Sequence, residues 1–252
     1  WLAGEKWRLD VFNTHGKIYE ASASQMFKVP IEQVTKGSPL RQKGKVSELA
    51  LGYQGGVEAL KTMGALRMGL TEEELPEIVS RWRKASPKIV NLWNRLNNAA
   101  LQAVGDKMNV SLMYGISMFC KNNCLFLRLP SGRCLSYVRP RIGVNRWDGP
   151  SIIYEGMNQT TKRWEKQETY GGKLTENLVQ AIARDLLAEK MLALNAAGYK
   201  IVLHVHDEVV CDMPYGVGSI EDVNKIMGTP VKWAPGLPLK AESFESTFYK
   251  KD

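Results

Sequence analysis

The sequence predicts an α+β protein, helix-rich at first and antiparallel β with helix toward its end, and three observations lead there. Ile89, Val90, Trp93, Leu96 and Ala100 form one apolar stripe at helical spacing. Turn chemistry at Pro130-Ser131-Gly132 and Trp147-Asp148-Gly149-Pro150 punctuates short extended runs between about 123 and 155, which read as a β-hairpin region. Ile201 to Val210 is β-branched and apolar around a charged centre, the pattern of a strand or a tight hairpin.

The remaining elements follow in order. Leu2, Trp7, Leu9, Val11 and Phe12 fit a short helix over Trp1 to Phe12, and a second helix is expected from Ile18 to Phe27, ended by Val29-Pro30. Gly37-Ser38-Pro39 is a strong helix start, with Ser38 as N-cap and Pro39 at the first helical position of a helix running to about Gly52. Another helix is expected from Val57. Thr71 with Glu74 three residues later resembles a capping box before the helix of Ile78, Val79 and Trp82, and Pro87 opens the next. After Thr175, Leu178, Ala181, Ile182, Leu186 and Met191 keep helical spacing until Gly198, a good C-terminal cap. There is no internal repeat and no low-complexity linker.

Composition narrows the class of partner. Hydrophobic residues make up 44% and charged ones 24% of 252 residues, which excludes a disordered or collagen-like chain. No apolar run approaches the roughly 20 residues of a membrane span, so no membrane partner is expected. Cys120, Cys124, Cys134 and Cys211 are scattered and follow no secretory leader, so free thiols and a cytoplasmic location are expected. Lysine and arginine total 34 against 26 acids, a net charge of +8 that suits a polyanion without specifying one. The opening Trp1-Leu2-Ala3-Gly4 lies inside a helix-like pattern without an initiator Met, which reads as a piece of a longer chain.

Three clusters could carry chemistry. His204-Val205-His206-Asp207-Glu208 holds two of the three histidines, and adjacent carboxylates within an apolar strand need compensation, for which a divalent cation is the obvious candidate. The alternatives are an exposed hairpin tip whose charges face water, and a zinc site from His204 and His206 on one strand face. Arg41, Lys45, Leu49 and Tyr53 recur every four residues on one helical stripe, where a planar guanidinium and a mobile ammonium one turn apart can clamp a polyphosphate. The competing reading is a solvated basic face. Gly55-Gly56 belongs to no Gly-x-x-x-x-Gly-Lys-Ser/Thr loop, which argues against an ordinary P-loop ATPase. Glu176, Gln180 and Arg184 share a polar stripe beside the apolar one on the last long helix.

Together and in order, these clusters resemble the family A DNA polymerases, the group of bacterial DNA polymerase I, and most closely their phage-type members. Arg41-x-x-x-Lys45-x-x-x-x-x-x-x-Tyr53 looks like motif B of the fingers, Val205-His206-Asp207-Glu208 looks like the palm's motif C, and Gln180, five residues before Asp185, matches a glutamine that contacts the primer-template. The resemblance also runs through Ala21 to Phe27, Ala59 to Trp93 and Ala234 to Leu239, nearly the whole chain. It implies palm-to-fingers helices over 1–30, fingers with a β-hairpin region over 31–165, and a C-terminal palm with antiparallel sheet over 166–252.

The resemblance further implies template-directed addition of deoxynucleotides to a primer 3′-hydroxyl by a two-metal mechanism. Arg41 and Lys45 would bind the β- and γ-phosphates and offset charge on the leaving pyrophosphate. Tyr53 would lie at the fingers-palm junction near the templating base, His206 would touch the primer end, and Gln180 and Arg184 would meet DNA. Asp207 would help hold two Mg2+ ions in the complete enzyme, with Glu208 as a nearby acid of lesser role.

Three departures stand out. Leu49 occupies a usually aromatic position that bears on sugar discrimination, and Tyr19 stands where relatives commonly place a phosphate-contacting histidine. Motif A, with an Asp-Tyr-Ser-like core and the other metal-binding aspartate, is absent from these 252 residues, as is the thumb. The chain is therefore expected to be a fragment or split half that is inactive without its partner portion, supplied in cis or in trans. Two rivals remain: a single-subunit RNA polymerase, which typically has serine where Glu208 stands, and a non-catalytic DNA-binding or regulatory protein of polymerase-derived fold.

Overall fold

A computed structural model describes residues 1–145 and 148–250. The chain forms two compact units, Trp1–Leu178 and Val179–Asp252. The α+β expectation holds, and the larger sheet belongs to the first unit. No helix among the described residues is long and apolar enough to cross a membrane.

The first unit begins with α1 (Lys6–Thr14) and α2 (Ile18–Phe27). The first four residues are a turn rather than helix, because the Gly4 amide donates to the Trp1 carbonyl at 2.8 Å and Gly4 takes φ +70°. Helix α3 (Pro39–Leu51) starts as its sequence dictates: Ser38 Oγ accepts from the Arg41 amide at 3.2 Å, with Pro39 directly behind the cap. Helix α4 (Val57–Thr62) follows, and the Thr71/Glu74 capping box forms, with the Thr71 amide donating to Glu74 Oε2 at 3.0 Å. That box closes a 3-10 turn from which α5 (Leu75–Ala85) continues, and α6 (Pro87–Gly105) comes next. Met26, Val46, Leu51, Leu60, Leu75, Ile78, Trp82 and Trp93 form the core of this helical region. Trp82 and Trp93 stack with centroids 6.0 Å apart.

The β region is larger than the hairpin the turn residues suggest. It is a six-stranded antiparallel meander: β1 (Val110–Ser111), β2 (Ser117–Lys121), β3 (Cys124–Arg128), β4 (Cys134–Val144), β5 (Pro150–Met157) and β6 (Trp164–Thr169). The β2–β3 turn is Asn122-Asn123, both at positive φ as a tight two-residue loop requires. Such turns carry no glycine or proline, so they leave a weak sequence signal. Pro130-Ser131-Gly132 is the β3–β4 turn; of the other expected turn, Trp147 lies outside the described residues. Helix α6 packs on one face of the sheet, where Met118, Leu125, Leu127, Tyr137 and Ile152 are buried.

Helix α7 (Gly171–Ala196) begins four residues before Thr175, which lies inside it and donates its hydroxyl to the Gly171 carbonyl at 2.7 Å. It ends in a Schellman motif: Gly198 has φ +88°, and the Tyr199 and Gly198 amides donate to the carbonyls of Leu194 and Asn195, each at 3.0 Å. The second unit continues with a hairpin, β7 (Ile201–Val205) and β8 (Glu208–Cys211), and α8 (Ile220–Gly228) capped by Ser219. Buried Lys190 is satisfied by the Thr229 carbonyl. All four cysteines are free thiols.

Candidate functional site

The basic stripe rests on how α3 is fixed. Helices α2 and α3 cross at Gly44, where a Cβ would fall 2.2 Å from the Tyr19 carbonyl oxygen and 3.1 Å from Ala23 Cβ, so only glycine permits the approach. At that crossing Arg41 Nε donates to Glu20 Oε1 at 2.6 Å, and its guanidinium lies 5.5 Å from the centroid of the Tyr19 ring. Among the described residues only Nε is engaged, so the two terminal nitrogens of Arg41 keep their donors for another acceptor. Burial pushes the Glu20 carboxyl up, but the bond from Arg41, one from its own amide and the charges of Arg41 and Lys17 outweigh it and hold it below the usual carboxylate range. Lys45, half-buried one turn along, forms no hydrogen bond or ion pair with any described residue. Leu49 is 48% exposed on the same stripe.

Tyr53 is not on that helix. The helix stops at Leu51, and Tyr53 lies in the turn that follows, with Gln54 at φ +67°. This turn is fixed by neighbours distant in sequence: Trp93 Nε1 donates to the Gly52 carbonyl at 3.0 Å, Arg83 to the Gly55 carbonyl at 3.1 Å, and the Gly172 amide to Gln54 Oε1 at 2.8 Å. The start of α7 presses backbone against this turn, since a Cβ on Gly172 would fall 2.4 Å from the Tyr53 carbonyl oxygen.

The most connected polar residue of the region escaped the sequence reading. Glu48, on the buried side of α3, accepts from Arg8 on α1 (2.5 and 2.8 Å), Ser22 on α2 (2.6 Å) and Trp82 on α5 (2.8 Å). One carboxylate thus ties four helices together. The signal was present: Glu48 lies four residues after Gly44 and three before Leu51, both on the buried face, so helical periodicity alone aims it inward. The pairing of Glu20 with Arg41 left no sequence signal because the two are 21 residues apart.

The acidic cluster sits at the tip of the β7–β8 hairpin. Val205 pairs with Glu208, leaving His206 and Asp207 as a two-residue loop. His206 has φ +52°, the positive value such a loop takes at its first position, at a cost of about 1–3 kcal/mol for a residue with a Cβ. His204, His206 and Asp207 are exposed and Glu208 half-buried. Asp207 therefore lies in the turn and not within an apolar strand, and only Glu208, at the first position of β8, is half-buried, so the expectation that buried adjacent carboxylates demand compensation is corrected by the turn. The zinc reading also loses its premise, because His204 is in a strand and His206 in the loop, where the two-residue alternation ends. Among the described residues no group of three His, Cys, Asp or Glu side chains is arranged to hold a metal. Gln180 and Arg184 are exposed on α7, four residues apart and on one stripe with Glu176.

No family model matches the chain. A comparison with curated proteins finds a protein named DNA polymerase from Bacillus phage SP02, 56% identical over 253 residues, an alignment that takes in 100% of this chain. Along its whole length the chain is similar to a segment of a phage DNA polymerase, and it spans 39% of that protein's length.

Proposed function

We propose that the chain is the fingers and C-terminal palm portion of a family A DNA polymerase, taking part in template-directed transfer of deoxynucleotides to a primer 3′-hydroxyl. The observation that carries this reading is the 56% identity to the phage polymerase over the whole chain. The geometry of α3 supports it: Lys45 has no partner among the described residues, and Arg41 is anchored by one nitrogen while two remain for phosphate. In this reading Arg41 and Lys45 bind the β- and γ-phosphates with Tyr19 beside them, and Lys45 balances charge on the leaving pyrophosphate. Leu49 lines the sugar edge, and Tyr53, held in its turn, stands near the templating base. Gln180, Arg184 and His206 meet the primer-template.

Asp207 suits a hard cation: Mg2+ takes one or two carboxylates and completes its shell with water and substrate phosphate, and Asp207 is exposed at a tip with Glu208 next to it. When bound, two such ions would activate the primer hydroxyl and neutralise the triphosphate. The second aspartate is expected from a motif A outside these 252 residues.

Primer extension with Mg2+ and four deoxynucleotides tests the reading, using the chain alone and then mixed with the portion of the phage relative outside the matched segment. Extension only in the mixture, abolished by Asp207→Ala, is the expected result. Extension by the pure chain alone would overturn the half-site assignment, and salt-sensitive DNA binding without extension in the mixture would favour a non-catalytic DNA-binding protein.

A further inference from the structure

The β1–β6 sheet is basic: residues 106–169 carry ten lysines and arginines against five acids, a net +5. Strand alternation sorts its side chains. Met118, Leu125 and Leu127 turn to the buried face, so Phe119, Lys121, Phe126 and Arg128 turn to the other. Phe119 is directly opposite Phe126, and the two half-buried rings lie 5.4 Å apart at 23°. Lys121 lies two residues beyond Phe119 in one direction and Arg128 two residues beyond Phe126 in the other, both exposed. Two cations therefore bracket two rings along the strand direction, about 13 Å apart by strand rise. At the Asn122-Asn123 turn, a recess of about 300 Å³ is lined by Lys107, Lys121, Asn122 and Asn123 together with two cysteines and Pro140, and its amide and ammonium groups are donors suited to a phosphate oxygen.

We propose that this outer sheet face binds single-stranded DNA, with bases stacking on Phe119 and Phe126 and phosphates meeting Lys121 and Arg128. The chemistry selects an unpaired strand over a duplex, because stacking on the rings needs an exposed base face, which a paired helix withholds. A cross-strand phenylalanine pair also stabilises a sheet by itself, so the test must separate packing from binding. The proposal needs neither Asp207 nor Arg41, and within the polymerase reading the strand would be unpaired template.

The full chain is titrated into a short labelled oligodeoxythymidine and followed by fluorescence anisotropy across a salt series. Lys121→Gln with Arg128→Gln is expected to reduce the slope of log K against log salt by about 1.4, roughly 0.7 for each single-strand phosphate that is no longer neutralised. Phe119→Leu with Phe126→Leu, which keeps the sheet face apolar, is expected to weaken binding about tenfold or more, with unchanged circular dichroism. Lys225→Gln, an exposed cation on α8 outside the sheet, is expected to bind the oligonucleotide like the parent chain. Unaltered affinity and salt slope in both sheet variants would overturn the proposal, as would an equal loss of affinity for a duplex of the same length in the phenylalanine variant. Loss of binding in Arg41→Ala or Asp207→Ala with the sheet variants intact would also overturn it, and would leave the polymerase reading standing.

Discussion

Removal of the Glu48 carboxylate is the sharpest probe of how this chain holds its basic helix. Arg8 and Glu48 side chains are each 12% exposed, and the carboxylate accepts four hydrogen bonds from α1, α2 and α5. Glu48→Ala leaves the Arg8 guanidinium partly buried without its counter-charge and strips partners from Ser22 and Trp82. Breaking one side of such a pair costs about 3–5 kcal/mol, which for a unit of this size lowers Tm by roughly 6–20 °C. Urea unfolding followed by tryptophan fluorescence measures it, since Trp82 donates to the same carboxylate at 2.8 Å. Replacing both partners, Arg8→Leu with Glu48→Leu, is expected to cost less than the two single changes added together, because no charge is left behind. A Glu48→Ala cost below about 1 kcal/mol, or strict additivity in the double change, would refute the assignment of Glu48 as the tie among four helices.

Two further outcomes follow from close contacts and burial. Gly44→Ala places a Cβ 2.2 Å from the Tyr19 carbonyl oxygen, a backbone atom that no rotamer change can move. Overpacking of about 1–3 kcal/mol is expected to outweigh the roughly 1 kcal/mol that alanine gains in helix propensity, so a urea midpoint at or above that of the parent would contradict the crossing. Tyr137 is pushed up to about 12 by burial, with a smaller push from Tyr154, against the opposing hydrogen bond from Asn177. Because its folded value lies above the ordinary 10.0, its contribution is intact below pH 10 and is lost as pH rises toward 12. Urea midpoints of Tyr137→Phe are therefore expected to fall less steeply than the parent's over that interval, and parallel curves would argue against it.

What the sequence determined by itself was local. Ser38 and Pro39 start α3, Thr71 and Glu74 close their capping box, and Gly198 ends α7, because each acts on backbone groups within one turn of itself. The order of helices and the charged hairpin were legible for the same reason. Tertiary structure decided the rest. The six-stranded extent of the sheet depends on pairings between strands whose turns, such as Asn122-Asn123, carry little compositional signal. The end of α3 before Tyr53 is set by Trp93, Arg83 and Gly172, residues 28 to 118 positions away from their partners. Asp207 and Glu208 looked like carboxylates in an apolar strand, and only the register Val205 to Glu208 turns Asp207 out at the tip. Arg41 acquires its anchor, and Glu48 its donors, from helices that periodicity can aim at one another but cannot pair. A one-dimensional pattern records which face of a helix is buried, whereas a carboxylate's partners are fixed by where helices cross, and here that crossing is set by the missing Cβ of Gly44.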